Sequence, residues 1–251
     1  MSDRKPRWTW IAATIGFAVI VLRVSAQAPA ASPESYQSSG KEIHLERYAP
    51  SKAGRHPTIF MLYGASGLAH RSEDFRKYAH GLADHGYVVF LLHYFDATDS
   101  ATAGDLPVPQ ERFRIWTKAL QDGISYATRD PHVDRHRIGV LGFSLGAFLA
   151  LWEASQDDRV RAVVEYYGGT SMFLGPAKRM PPTLILHGEK DSFVIVERAH
   201  ELERLLQQQH TPYESKIYPG HEHGFDSDDP AAAQDAWERT LAFFQKYLGG
   251  H

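Results

Sequence analysis

The feature that most constrains the fold of this chain is a regular alternation of strand-length apolar runs with stretches of helical periodicity. Nearly continuous apolar runs lie at residues 58–62, 87–92, 137–141, 160–164 and 183–186. Such runs are typical of strands in a sheet that is covered on both faces. Between and after them, apolar residues recur at helical spacing around residues 75–83, 113–127, 199–206 and 237–248. The alternation predicts a doubly wound α/β fold, with a mainly parallel sheet, helices on both faces and right-handed crossovers.

Composition narrows the class of function. The chain has 251 residues, 43% of them hydrophobic, which suits one globular catalytic domain. Its formal net charge of -3 comes without long runs of one sign, so we expect no nucleic-acid partner. It contains no cysteine, which excludes disulfides, thiolate nucleophiles and cysteine-ligated metals. We therefore expect a small-molecule substrate.

The first 42 residues differ from the rest. Basic residues precede an apolar run at 8–22, and Val24, Ser25 and Ala26 then supply small residues of the kind that signal peptidases accept. We predict a signal peptide at 1–26, and hence an exported protein, periplasmic or secreted. Arg23 keeps an uncleaved N-terminal membrane anchor open as the alternative. Residues 27–42 are expected to form a flexible leader, and residues 43–251 the folded domain.

A candidate nucleophile follows the apolar run at 137–141. Residues 142–146 read Gly-Phe-Ser-Leu-Gly, a G-x-S-x-G pattern with Ser144 at its centre, and a helix-compatible apolar segment comes next. A nucleophile elbow requires this context, because the serine sits in a strained turn between a strand and a helix. The alternative is an ordinary turn serine.

A serine hydroxyl needs a base and an orienting acid, which follow it in the order acid, then histidine, in this fold. Glu189 and Asp191 come after the run at 183–186, and His221 and His223 come after a candidate strand at 213–218. Both partners thus lie at strand ends in the required order. The paired histidines lack further candidate ligands, so we predict no metal and no cofactor.

An oxyanion needs two hydrogen-bond donors. One is expected to be the backbone N–H of Leu145, at the start of the helix after the nucleophile. The other is expected from the glycine-containing loop at 63–67, which follows the first apolar run. The alternative is that this loop serves the topology alone.

Four blocks of the sequence carry a resemblance to a known family. They are Asp-Pro-His-Val-Asp at 130–134 with the elbow region at 137–146, Tyr-Tyr-Gly at 166–168, His-Gly-Glu-Lys-Asp at 187–191, and Tyr-Pro-Gly-His-Glu-His-Gly-Phe at 218–225. Together they resemble the dienelactone hydrolase family of the α/β-hydrolase fold, over nearly the whole chain after the leader.

The resemblance implies roles for individual residues. It implies Ser144 as nucleophile, Asp191 as acid, His223 as base, and the backbone N–H groups of Leu145 and Ala65 as oxyanion donors. It favours His223 over His221 because the family's histidine is followed by a small residue and then an aromatic one, as at 224–225.

The chain also departs from the family. Serine replaces the cysteine nucleophile of dienelactone hydrolases, Gly64 replaces a glutamate, and Glu165 stands where a small residue is usual; we assign no role to Glu165. These changes favour a carboxylesterase-like hydrolase of esters or lactones that works through an acyl-enzyme. An acyltransferase using the same acyl-enzyme and a non-catalytic binding protein of the same fold are the alternatives.

The pocket is expected where strands end. On that basis we predict that Tyr63, His93, Tyr94, Phe143 and Tyr167 line it, and that the loop at 96–109 walls or covers it. No long insertion separates the predicted strands. We therefore expect a small to medium pocket and a preference for short-chain esters.

Overall fold

The computed structural model describes residues 31–104, 107–170 and 179–249. Its eight strands are β1 Ser32–Ser38, β2 Lys41–Tyr48, β3 His56–Leu62, β4 Val88–Leu92, β5 Val133–Phe143, β6 Val160–Tyr166, β7 Thr183–Gly188 and β8 Tyr213–Tyr218. The α-helices are α1 Ser72–Asp84, α2 Gln110–Ala127, α3 Leu145–Gln156, α4 Glu197–Gln208, α5 Phe225–Asp228 and α6 Pro230–Leu248. Short 3₁₀ helices span Leu68–Arg71 and Tyr94–Thr98.

The strands form one sheet in the order β1-β2-β4-β3-β5-β6-β7-β8. β1 pairs antiparallel with β2, and β2 pairs antiparallel with β4, while every other neighbouring pair is parallel. The central strands β4, β6 and β7 are buried along nearly their whole length. The predicted doubly wound, mainly parallel sheet is therefore confirmed.

Two glycines of β5 show how tightly helices cover both faces. A Cβ atom at Gly139 would lie 2.9 Å from the ring of Phe244 in α6. A Cβ atom at Gly142 would overlap the carbonyl oxygen of Gly146 in α3. Because these positions are three residues apart, they point to opposite faces of the strand. Helices α6 and α3 thus approach the same strand from its two sides.

The leader predicted at 27–42 is wrong in its C-terminal part, because β1 begins at Ser32 and belongs to the sheet. The side chain of Tyr36 is only 7% exposed. Its hydroxyl donates a 2.6 Å hydrogen bond to the carbonyl oxygen of Ala119, and its ring stacks on Tyr126 at 5.6 Å. The polar composition of this segment conceals a strand in which buried and exposed positions alternate. The buried positions are Tyr36 and Ser38.

The predicted signal peptide at 1–26 lies outside the described residues. Across the described ranges, no helix combines the length and the apolar character that crossing a membrane requires.

We predict that Tyr36→Ala lowers the free energy of unfolding by about 3–4 kcal/mol, because it removes a buried ring and a buried hydrogen bond. Gln37→Ala, on the exposed face of the same strand, is the matched control and should change it by less than about 0.5 kcal/mol. Urea unfolding of the two variants measures both values. Equal stability of both variants would show that β1 does not belong to the folded core.

Candidate active site

Three of the predicted site residues meet at the carboxyl edge of the sheet. Ser144 follows β5, Asp191 follows β7, and His223 follows β8. The Oγ atom of Ser144 lies 2.9 Å from Nε2 of His223, and Nδ1 of that ring lies 2.7 Å from Oδ2 of Asp191. A continuous hydrogen-bonded path therefore joins the hydroxyl to the buried carboxylate, with the imidazole between them.

Ser144 occupies a sharp turn between β5 and α3. Its backbone has φ 53° and ψ -117°, a conformation that costs a non-glycine residue of the order of 1–3 kcal/mol. The amide of Ser144 donates to the carbonyl oxygen of Tyr166 at 2.9 Å. A Cβ atom at Gly146 would overlap the carbonyl oxygen of Leu62 in β3, so only glycine permits this approach. The pattern in the sequence thus forms the predicted elbow.

The carboxylate of Asp191 is held in one orientation by its own loop. It is 4% exposed, and Oδ1 accepts hydrogen bonds from the amides of Phe193 and Val194 at 2.9 and 2.8 Å. Oδ2 is left to face His223. The neighbouring His187 contacts the carbonyl oxygen of Val194 through Nε2 at 2.7 Å, and burial lowers the pKa of His187. This favours a neutral imidazole that braces the acid loop.

The rival residues of the same two loops are engaged elsewhere. Nδ1 of His221 contacts the carbonyl oxygen of Pro219, and its Nε2 contacts Oδ2 of Asp229, both at 2.9 Å. The bond to Asp229 raises the pKa of His221. Glu189 accepts a hydrogen bond from the amide of Gly220 at 2.9 Å and so ties the two loops together. The structure therefore brings His223 to Ser144, and not His221.

The loop after β3 passes beside the serine hydroxyl. A Cβ atom at Gly64 would lie 3.2 Å from Cβ and 3.8 Å from Oγ of Ser144. Ala65 and Leu145, the two predicted oxyanion donors, both line the cleft next to Ser144. Leu145 is the first residue of α3, where backbone amides lack partners within the helix.

The cleft above Ser144 has a volume of about 1280 Å³. The expected small to medium pocket is therefore wrong, because ligand pockets are usually about 300–1,000 Å³. Its lining includes residues 107–109 before α2 and residues 193–195 before α4, so the end of the predicted covering loop does form part of its wall. Residues 105–106 of that loop lie outside the described part of the chain.

Of the five predicted pocket residues, Phe143 and Tyr167 line the cleft. The prediction is wrong for Tyr63, His93 and Tyr94, which do not line the cleft. The rings of Tyr63 and Tyr94 stack at 4.7 Å, and the hydroxyl of Tyr94 donates to the carbonyl oxygen of Tyr63 at 2.8 Å. Nε2 of His93 lies 3.5 Å from a carboxylate oxygen of Glu46 in β2. A strand end locates these residues correctly but does not determine which way their side chains turn.

A buried ion cluster, which the sequence did not predict, lies beside His223. The side chain of Asp226, three residues after His223, is fully buried. It accepts hydrogen bonds from both terminal nitrogens of Arg71 at 3.0–3.2 Å, and from the hydroxyls of Tyr78 and Tyr167 at 3.1 and 3.0 Å. The ring of Tyr167 in turn contacts the His223 imidazole, with centroids 4.7 Å apart. The cluster therefore anchors the loop that carries His223.

No group of three or more histidine, aspartate or glutamate side chains in the described ranges is arranged to hold a metal ion.

Residues 46–248 match the sequence model of the Dienelactone hydrolase family. A carboxymethylenebutenolidase of Rhodococcus opacus is 28% identical, covering 80% of this chain and 85% of that protein. A Bradyrhizobium protein named "Probable 2-oxo-3-(5-oxofuran-2-ylidene)propanoate lactonase" is also 28% identical, over 80% of this chain and 88% of its own length. A crystal structure of dienelactone hydrolase from Anabaena variabilis shares the fold, with a TM-score of 0.68, 22% identity and coverage of 88% of this chain and 99% of that one.

Glu165, to which the sequence assigned no role, is fully buried near the end of β6. Its Oε2 atom accepts a hydrogen bond from the amide of Gly168 at 2.7 Å, and Oε1 has no partner among the described residues. Burial, with a smaller contribution from the charge of Asp191, raises the pKa of Glu165 from 4.5 to about 8. Glu165 is therefore expected to be protonated at neutral pH.

We predict that Glu165→Gln stabilises the protein at pH 8. In the unfolded chain Glu165 ionises above pH 4.5, whereas in the folded protein it stays protonated up to about pH 8. Unfolding then releases a proton, so the wild-type free energy of unfolding falls as pH rises through this window. Glutamine does not ionise, so the variant should be more stable than the wild type by about 4 kcal/mol at pH 8 and nearly equal to it at pH 4.5. Urea unfolding at both pH values checks the difference; equal stability at pH 8 would contradict a neutral Glu165.

Proposed function

Because this chain belongs to the dienelactone hydrolase family, a family of hydrolases that act on ester and lactone bonds, we propose that it hydrolyses such a bond through an acyl-enzyme on Ser144. The observation that carries the proposal is the hydrogen-bonded path from Oγ of Ser144 through His223 to Asp191, with links of 2.9 and 2.7 Å. The named relatives, a carboxymethylenebutenolidase and a lactonase, support a lactone or a related ester as substrate.

In the first half of the proposed reaction, Oγ of Ser144 attacks the carbonyl carbon while Nε2 of His223 takes the hydroxyl proton. Asp191 keeps Nδ1–H of His223 pointing at its carboxylate, so the opposite nitrogen is free to act as the base. The carbonyl oxygen becomes an oxyanion, which the amides of Leu145 and Ala65 stabilise. The ester C–O bond then breaks, and His223 protonates the departing alkoxide.

In the second half, a water molecule attacks the acyl-enzyme while His223 again takes a proton. The acyl bond to Ser144 breaks, the serine oxygen recovers its proton, and a carboxylic acid is released. With a lactone the alcohol and the acid belong to one molecule, so the ring opens. The cleft opens directly above Ser144, which gives water access to the acyl-enzyme.

We predict that Ser144→Ala abolishes hydrolysis of a p-nitrophenyl ester and also labelling by a serine-reactive phosphonate. Loss of the nucleophile should lower kcat by several orders of magnitude, as removal of a triad member does. Mass spectrometry of the labelled wild-type protein identifies the modified residue. A label on any other residue, or full turnover by the alanine variant, would exclude Ser144 as nucleophile.

Matched variants test the proposed base, His223, and the proposed acid, Asp191, in the same assay. His223→Ala should cause a loss of similar scale, whereas His221→Ala should retain most activity because that ring contacts Pro219 and Asp229. Asp191→Asn should be severely impaired and Glu189→Gln only mildly. Circular dichroism establishes that each variant is folded. A larger loss for His221→Ala or for Glu189→Gln would overturn the corresponding assignment.

We also propose that the protein is exported, on the strength of the basic residues, the apolar run at 8–22 and the small residues at 24–26. Export would place the hydrolase in the periplasm or the medium.

The expected outcome is a mature protein that begins near Gln27 and is found in the extracytoplasmic fraction. Mass spectrometry of the purified protein gives its N-terminus. An intact N-terminus in the membrane fraction would contradict cleavage and favour an anchor.

A further inference from the structure

Two large apolar side chains stand exposed at the mouth of the cleft. Phe193 is 81% exposed and Ile195 49%, and both line the cleft within four residues of Asp191. The ring of Phe193 lies 5.5 Å from the imidazole of His223. Side chains of this size are stabilised when apolar surface covers them, at about 25 cal/mol per Å². We call Phe193 and Ile195 the exposed apolar rim. This rim therefore extends to the ring of His223, next to the proposed reacting atoms.

Other apolar side chains line the same cleft. Val108 lies just before α2, Phe113 lies in the first turn of α2, and Phe148 lies in α3. The rim and these side chains are on different elements, so a molecule bound in the cleft could contact both. An apolar chain attached to a carbonyl at Ser144 would be buried by both.

Arg71, one of the two arginines that line the cleft in the described part of the chain, has little capacity left for an anionic ligand. Nε of Arg71 donates to Asp74 at 3.0 Å, and Nη2 donates to Asp226 at 3.0 Å. Nη1 is shared between Asp226 at 3.2 Å and the hydroxyl of Tyr167 at 3.1 Å. Two carboxylates thus already surround this guanidinium and offset its charge.

The second arginine that lines the cleft is also paired. Arg198 donates to Glu201 at 3.0 Å, on the solvent side, where each side chain is more than a third exposed. Asp228 lines the cleft as well and adds a negative charge. Each arginine that lines this cleft is therefore accompanied by a carboxylate. Such a carboxylate would repel the carboxylate of an anionic substrate.

From these observations we infer that the preferred substrate is an uncharged ester with an apolar acyl chain, and that Phe193 and Ile195 hold this chain as specificity-determining residues. The inference rests on the proposed hydrolysis at Ser144 and specifies the substrate class of that site. A chain that covers the rim gains up to about 0.8 kcal/mol per buried methylene, which corresponds to up to about fourfold in kcat/KM.

The experiment measures kcat/KM of the full-length protein for p-nitrophenyl acetate, butyrate, hexanoate and octanoate. A fifth ester has the eight-carbon acyl chain ending in a carboxylate. For the wild type, kcat/KM should rise about two- to fourfold per methylene, and the carboxylate-ended ester should be at least about tenfold poorer than octanoate.

Phe193→Ser and Ile195→Ser test the rim, and serine at position 193 keeps the backbone amide that donates to Asp191. Each should lower the octanoate-to-acetate ratio of kcat/KM by about five- to tenfold. Tyr213→Ser is the matched control, because Tyr213 begins β8 at the opposite end of the strand from the site. It should leave the ratio unchanged, with circular dichroism checking the fold of all three variants.

The outcomes separate this inference from the proposed function. Turnover of acetate with the ratio unchanged in both rim variants, or with kcat/KM falling as the chain lengthens, overturns the inference and leaves the proposed function intact. Preference for the carboxylate-ended ester that disappears in Arg198→Gln overturns it too, by identifying Arg198 as an anion site. Failure to hydrolyse any ester, without phosphonate labelling of Ser144, contradicts the proposed function itself.

Discussion

Between β5 and α3 the chain reverses direction, and the space for this turn exists because Gly142 and Gly146 carry no side chains. A Cβ atom at Gly142 would overlap the carbonyl oxygen of Gly146, and one at Gly146 would overlap that of Leu62. The turn forces Ser144 to φ 53°, a strained conformation that persists only where the surroundings impose it. In this protein the surroundings that impose it are the buried strands β3 and β6, which lie on either side of β5. The strain and the exposure of the hydroxyl therefore have one cause.

The other two members of the site depend on a second close approach, between the loops after β7 and β8. A Cβ atom at Gly188 would lie 2.5 Å from the carbonyl oxygen of His221, and the amide of Lys190 donates to that same oxygen at 2.8 Å. These contacts set the loops against each other, so His223 reaches Asp191 directly. Since β6 and β7 separate β5 from β8, the histidine loop must also extend across the sheet edge to meet Ser144.

The sequence was informative where the physical cause is local. Apolar runs predict buried strands, and the glycine spacing around Ser144 predicts the turn, because both depend on neighbouring residues. It failed at β1, whose polar composition resembles a linker although Tyr36 packs against a helix more than 80 residues away. It failed at Tyr63, His93 and Tyr94 because a strand end does not fix a side chain's direction. The pair of Arg71 and Asp226 was missed because its members lie 155 residues apart.

That missed pair links the polarity of the cleft to the position of His223. Asp226 follows His223 by three residues and is the second residue of α5, the turn of helix that closes its loop. The carboxylate binds Arg71, which directly precedes α1, Tyr78 of α1, and Tyr167, whose ring contacts the imidazole. Breaking a buried pair of this kind costs about 3–5 kcal/mol, because the remaining charge is left uncompensated. An arginine that secures the His223 loop in this way cannot also turn toward a substrate anion without loosening that loop, so the weak affinity for anions that we infer would have the same structural origin as the alignment of His223.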